Sequence, residues 1–346
     1  MRYNRLGTTD IKVSSLCLGT MTWGEQNSEA HGHEQMDYAV ENGINFFDTA
    51  ELYSIPPRPE TYGRTEEIIG TWFRERKNRD KIFLASKMAG PGLAWIRGGG
   101  PITGAAVQTA IEGSLRRLKT DYIDLYQLHW SNRPNYHFQN YYSFAPSAVD
   151  YAKERENFHE VLLALDSSVR AGKIRHVGLS NEMPWGVFEY LKIAERHSLP
   201  RIQTIQNEYS LLCRRFEQDL TEIAFAENVG LLAWSPLAGG MLSGKYANGS
   251  RPAGTRWAID NRILFRDTTS ANKAVAAYIE LAKNHNFDPC QMALAFVEQQ
   301  PFVTSTIIGA TSMEQLRSNI SATNVTLSEE VQMKIQEIYL EHPRPY

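Results

Sequence analysis

The chain has 346 residues, of which 42% are hydrophobic and 22% charged, and a formal net charge of −3. This composition supplies a large core, which excludes global disorder, and the near-balanced charge gives no electrostatic case for nucleic acid or an anionic membrane. The three cysteines, Cys17, Cys213 and Cys290, are odd in number and outside any CxxC spacing, so neither a disulfide framework nor a metal site is expected.

At the N-terminus, Met-Arg-Tyr-Asn-Arg has no apolar signal core. Residues 1–14 alternate around Gly7-Thr8-Thr9-Asp10 and predict a hairpin that lids one end of the main fold. Residues 15–18 form the first core strand, stopped by Gly19-Thr20-Met21, and 28–41 form a helix capped by Ser28. Strand–helix units then repeat. Strand 45–48 precedes helix 65–76, and strand 82–87 precedes helix 103–118. Strand 123–129 is followed by a long polar and aromatic segment and helix 155–171. Strand 174–180 precedes helix 185–196, and strand 203–207 precedes helix 217–227. After strand 230–235 come a long loop and helices 270–285 and 289–299, the latter with Pro289 at its first position. Strand 305–308 leads to helix 312–320, and helix 328–340 is an appendage. The longest apolar region, 229–242, is too short to span a membrane and is broken by Pro236 and Gly239-Gly240, so a cytoplasmic protein is expected.

Eight strands alternating with helices, with no Gly-rich dinucleotide fingerprint after the first, predict an α/β fold. The specific expectation is a closed (β/α)₈ TIM barrel over residues 1–346 as one domain, with an N-terminal hairpin, long βα loops and an extra C-terminal helix. The strand ends then share one mouth. The first strand brings Gly19-Thr20-Met21 there, the second Asp48 and, five residues on, Tyr53, the third Lys87 and the fourth His129.

Each of these has a bland reading: a cap for Asp48, an exposed charge for Lys87, a core imidazole for His129. Together they have a chemistry. A phenol is a poor acid at neutral pH, and a nearby ammonium lowers its pKa while a carboxylate keeps that ammonium charged. Lys87 is thus the expected tuner of Tyr53, Asp48 its counter-ion, and His129 the hydrogen-bond donor that orients a carbonyl oxygen. Proton donation is half of carbonyl reduction. The other half is a hydride, which no side chain supplies, so a nicotinamide cofactor is implied.

The motifs LGTMTWGE at Leu18, GINFFDTAELY at Gly43, ASK at Ala85, DYIDLYQLHW at Asp121, GKIRHVGLSN at Gly172, QNEYSLL at Gln206, WSPLAGGMLSGKY at Trp234 and GATSMEQLRSNI at Gly309 run the length of the chain. On them the sequence resembles an aldo-keto reductase, most similar to the bacterial Tas-type NADP(H)-dependent reductases and the potassium-channel β-subunit-like branch. The resemblance implies a catalytic tetrad at Asp48, Tyr53, Lys87 and His129, and NADP(H) as cofactor. It implies that Gly19, Thr20, Met21 and Asp48 border the cofactor, that Ser180, Asn181 and Gln206 bind the nicotinamide carboxamide, and that Trp234, where many relatives carry Tyr, stacks beneath the ring. Ser235, Leu237 and Lys245 would line the pyrophosphate, and Gly309, Thr311, Gln315 and Asn319 the adenosine. Arg256 would lie near the 2′-phosphate. Many members have a lysine where this chain has Gly309 and a glutamate where it has Ser318, so basic contact with that phosphate rests on Lys245 and Arg256.

Residues 239–245 read G-x-x-x-x-G-K, but Tyr246 stands where a triphosphate-binding loop requires Ser or Thr, and backbone amides with Lys245 cradling a pyrophosphate is the better reading. Trp23, Trp95 and Trp130, with Tyr136, Tyr141, Tyr142 and Phe144, fall on βα loops, where barrel enzymes build substrate walls, and point to an apolar or aromatic aldehyde or ketone. The rival from another class is a cofactor-bound, redox-sensing regulatory module that docks on a membrane protein. A sugar-phosphate isomerase on the same barrel would act without any nicotinamide.

Overall fold

Each barrel strand is covered twice: toward the surrounding helices by mostly apolar side chains, and toward the barrel interior by apolar residues low in the barrel and polar ones such as Lys87, Gln127 and Gln206 near the mouth. In the computed structural model, which describes residues 1–136 and 144–346, these strands are β3 (Leu16–Gly19), β4 (Phe46–Asp48), β5 (Phe83–Met88), β6 (Ile123–Leu128), β7 (Ile174–Ser180), β8 (Ile202–Glu208), β9 (Gly230–Trp234) and β10 (Val303–Ile308). They pair in that order, all parallel, and β10 closes on β3. This is the expected (β/α)₈ architecture.

The helices include α1 (Glu29–Glu41), α2 (Arg64–Arg76), α3 (Gly104–Leu118), α4 (Tyr151–Arg170) and α5 (Pro184–His197), followed by the short pair α6 (Arg215–Asp219) and α7 (Thr221–Ala226). After β9 come α8 (Arg256–Ile259), α9 (Thr269–Asn284) and α10 (Pro289–Glu298), and after β10 come α11 (Met313–Ser321) and α12 (Glu329–Glu341). Ser28, Thr103, Ser312 and Ser328 each accept a backbone N–H of the first turn, and Asp288 does so ahead of Pro289.

Two expectations change. Helix α4 begins at Tyr151 rather than 155, because Asp150 accepts from the amides of Ala152 and Lys153 and starts a polar first turn that shows no apolar period. The single helix expected at 217–227 is two pieces, broken at the non-helical Leu220. The Thr221 hydroxyl bonds back to the carbonyls of Phe216 (3.2 Å) and Glu217, a local competition that bends the chain.

The hairpin of β1 (Tyr3–Arg5) and β2 (Lys12–Ser14) lids the end of the barrel opposite the strand tips. Its Leu6 and Val13 are fully buried among Phe46 and Phe83, the first residues of β4 and β5, together with Cys17, Leu125 and Leu232. At ~1.5–3 kcal/mol for each fully buried large side chain, that plug stabilises the closed end and leaves the carboxyl end open for chemistry.

Candidate active site

Side chains alternate along a strand, so the residues that line the barrel near its mouth are fixed by register. Gly19 of β3 pairs with Asp48, Asp48 with Ala85, and Lys87 with Gln127. Lys87, fully buried, donates from Nζ to Asp48 Oδ2 at 2.7 Å and to the Thr49 carbonyl at 2.7 Å. The second oxygen of Asp48 accepts from Gln206 (2.8 Å) and Gln127 (3.4 Å), and the Thr20 hydroxyl donates to its carbonyl at 2.9 Å. Tyr53 folds back over this pair, with Lys87 Nζ 5.0 Å from its ring centroid and the His129 ring edge-on at 5.8 Å. The structure therefore gathers Asp48, Tyr53, Lys87 and His129 at one strand-end cluster.

Burial opposes the charge on Lys87, but Asp48 and Tyr53 outweigh it and hold the ammonium above the usual lysine value. Burial, reinforced by Lys87, holds His129 well below the usual imidazole range, so it is neutral. The Tyr53 phenol departs from expectation. Burial raises it above 10, outweighing Lys87, which pulls it down, and Asp48 pushes it up again. Desolvation therefore wins over the ammonium, and Tyr53 is an acid kept protonated at neutral pH.

Residues at the carboxyl ends of β7, β8 and β9 form a connected network. Ser180 donates to the Gln206 carbonyl (2.8 Å), Asn181 donates to the His129 carbonyl (2.9 Å), and the Trp234 indole donates to Asn181 Oδ1 (3.2 Å). Beyond Trp234 the backbone turns left-handed at Ser235, Ala238, Gly239 and Gly240, and Ser235 Oγ accepts from the Gly239 amide at 3.0 Å. The Ala238 and Gly240 amides donate to the carbonyls of Ser235 and Leu237 (2.8 and 2.9 Å), so the turn is closed by its own hydrogen bonds. Leu237 packs half-buried beside this turn, and Lys245 Nζ lies 3.5 Å from where a Cβ on Gly240 would stand. Tyr246 stacks on Trp257 at 4.4 Å, an aromatic clasp in place of a metal-binding hydroxyl.

Arg256 Nη1 lies 3.7 Å from Met21 Sδ, its Nε is buried with no hydrogen-bond partner among the described residues, and it forms no ion pair among them. Burial, then Arg266, push its pKa down to about 10. An under-compensated buried cation beside a left-handed turn fits the phosphates of a dinucleotide. Gly309, Thr311, Gln315 and Asn319 form their own cluster at the start of α11. Asn319 donates to the Gly309 carbonyl (3.0 Å), and the Thr311 amide and hydroxyl donate to Gln315 Oε1 (2.9 and 3.1 Å).

The aromatic residues divide. Trp23 is no pocket wall: it is fully buried in the helix layer and donates to Gln35 at 3.1 Å. Trp130 does face the mouth, packing against the cluster of Leu52, Ile55, Ala89 and Ile96 together with Met21, Tyr53, Tyr62 and Leu93. Trp95 is 40% exposed on the loop after β5. Tyr136 donates to the Phe144 carbonyl at 2.9 Å, and Tyr141 and Tyr142 lie outside the described residues. Sequence reading missed Gln127, whose place follows from the inward period of Leu125, and the buried pairs Glu51–Arg97 and Arg133–Glu182, for which no local signal exists. Among the described residues no group of His, Cys, Asp and Glu could hold a metal, and no helix is long and apolar enough to cross a membrane.

The family model described as the aldo/keto reductase family matches residues 15–340. The chain is 47% identical to the protein tas of Escherichia coli K12 over 100% of its own length and 99% of that protein. It is 34% identical to the uncharacterized oxidoreductase YrpG of Bacillus subtilis over 98% of its length and 96% of that protein. To a probable voltage-gated potassium channel subunit beta of Oryza sativa subsp. japonica it is 30% identical, over 99% of its length and 98% of that protein.

Proposed function

Because the chain belongs to the aldo/keto reductase family and is an oxidoreductase, of a family that generally uses NAD(P)H and implies small carbonyl substrates, we propose that it reduces aldehydes or ketones to alcohols with NADPH. The whole of 1–346 acts as one cytoplasmic barrel domain in this reading, with no nucleic-acid or membrane partner. The observation that carries it is the buried Lys87–Asp48 pair, 2.7 Å apart, beneath a phenol packed against a neutral His129.

NADPH, when bound, supplies the hydride. Tyr53 gives its Oη proton to the carbonyl oxygen, and the phenolate left behind is stabilised by the Lys87 ammonium, which Asp48 holds charged and in place. His129, neutral, donates a hydrogen bond to the same carbonyl oxygen and so orients it. Ser180, Asn181 and Gln206 would hold the carboxamide, with Trp234 flanking the ring and Gly19, Thr20 and Met21 bordering it. Ser235, Leu237 and Lys245 would hold the pyrophosphate, Arg256 the 2′-phosphate, and Gly309, Thr311, Gln315 and Asn319 the adenosine. Trp130 and Trp95 would border the substrate.

Tyr53→Phe is the test. It leaves NADPH affinity unchanged and lowers kcat on a panel of aldehydes by roughly 10²–10⁴, the scale of a general acid. Turnover equal to the wild type would remove Tyr53 from the mechanism. The full-length similarity to a protein named as a potassium channel subunit beta supports a second reading, a cofactor-holding regulatory module with little turnover. NADPH binding with no oxidation across the panel would favour that one.

A further inference from the structure

Between Asp48 and Tyr53 the chain carries a second acid, Glu51, which is fully buried. Its oxygens take four donors from three segments. Oε1 accepts from the Ala89 amide (2.6 Å) and Arg97 Nη2 (2.7 Å), and Oε2 from Arg97 Nη1 (2.7 Å) and the Tyr62 hydroxyl (3.0 Å). The Glu51 amide donates to the Lys87 carbonyl at 3.0 Å, and Arg97 Nη2 also donates to the Ala89 carbonyl at 2.9 Å. One carboxylate thus fastens the Tyr53 turn to the end of β5 that carries Lys87, and both to the following loop.

Arg97 itself sits at φ +48°, followed by Gly98 and Gly99, also left-handed. A non-glycine residue in that region persists only where its surroundings over-determine it, and the bidentate pair with Glu51 does so. The residue before it, Ile96, is buried against Leu52, Ile55 and Ala89 in the apolar wall that Tyr53 and Trp130 share.

Resting on the reduction reading above, we propose that Glu51 is a positioning residue for Tyr53 and that its pair with Arg97 sets the apolar substrate wall, so that the proton donor and the wall move as one unit. Glu66 on α2 provides the control. It is equally buried and also paired to an arginine, with Arg117 Nε at 2.7 Å and the Ser86 hydroxyl at 2.5 Å, neither donor on a mouth loop. A purely structural role predicts the same consequences for both acids.

The experiment compares wild type, Tyr53→Phe, Glu51→Gln, Glu66→Gln and Arg97→Lys with NADPH, on 4-nitrobenzaldehyde and on propanal, with Tm measured for each. Both Gln variants are expected to lose similar Tm, but only Glu51→Gln loses kcat by roughly 10- to 100-fold on both substrates, the scale of a misplaced reacting group. Arg97→Lys, which keeps a charge opposite Glu51, is expected to retain most of the wild-type kcat and to raise KM for 4-nitrobenzaldehyde more than for propanal. A kcat for Glu51→Gln within about twofold of Glu66→Gln overturns the proposal. Should Glu51→Gln not fold, an unchanged KM ratio in Arg97→Lys overturns it. Equal turnover by wild type and Tyr53→Phe fails the reduction reading instead, whatever Glu51 does.

Discussion

The two sides of the barrel mouth are stabilised on opposite terms. On the β4–β5 side every buried charge named above has its partner in the chain: Asp48 with Lys87, Glu51 with Arg97, and behind them Glu66 with Arg117. On the β9 side Lys245 and Arg256 form no ion pair among the described residues, and the backbone between them and Trp234 is repeatedly left-handed. A preformed proton-transfer centre needs fixed distances before substrate arrives, and internal ion pairs supply them. A site for an exchangeable anion gains by leaving cations under-compensated, since the ligand then brings the missing charge.

The largest effect expected from breaking this contrast is at Lys87. Lys87→Met leaves the Asp48 carboxylate buried without its cation, so unfolding stability should drop by about 3–5 kcal/mol, and kcat by about 10² or more. Denaturant titration and steady-state kinetics check both, and a stable, active variant would mean that the pair organises nothing.

The double variant Lys245→Ala/Arg256→Ala is expected to behave in the opposite way. Stability without cofactor is unchanged or rises, because Lys245 is exposed and the buried Arg256 guanidinium, which Arg266 repels, is gone. NADPH affinity falls by about 1.5–3 kcal/mol for each charge-assisted hydrogen bond removed, and NADH affinity far less. Parallel losses for the two cofactors, measured by fluorescence titration, would undercut the 2′-phosphate assignment.

A smaller effect sharpens the paired side. The folded-state pKa of His129 is depressed by burial and by Lys87, so as pH falls below about 6.5 the unfolded imidazole takes a proton that the folded one refuses. Stability on this account is full above that value and is lost on acidification, by about 1.4 kcal/mol per pH unit for one such group. His176, depressed by burial in the same direction, adds to the slope. His129→Asn should flatten the curve between pH 6.5 and 5 in urea titrations, and an unaltered slope would assign the acid sensitivity elsewhere.

Much of the molecule is legible in the order of its residues. Strand runs such as 82–87 and caps such as Ser28 are local: their residues lie within one element and carry its period and its end signals. The cluster at the mouth is legible for the same reason in part, since Asp48, Lys87 and His129 stand at or beside strand ends, while Tyr53 follows Asp48 on the loop. What no local pattern carries is how elements forty positions apart meet. Trp23 reads as a loop aromatic but is taken up by the helix layer, because α1 and α2 close over it. Glu51 reads as an ordinary loop acid until Arg97 is folded onto it.

The direction of the Tyr53 shift belongs to the same class. From sequence, the ammonium alone argued for a lowered value. In the fold, the protein crowded around the phenol excludes enough water that burial outweighs Lys87. Which groups reach the mouth, and the barrel that brings them there, are thus written along the chain. How dry that mouth is, and which charges are answered within it, emerge only on folding, because desolvation and pairing depend on distances in space.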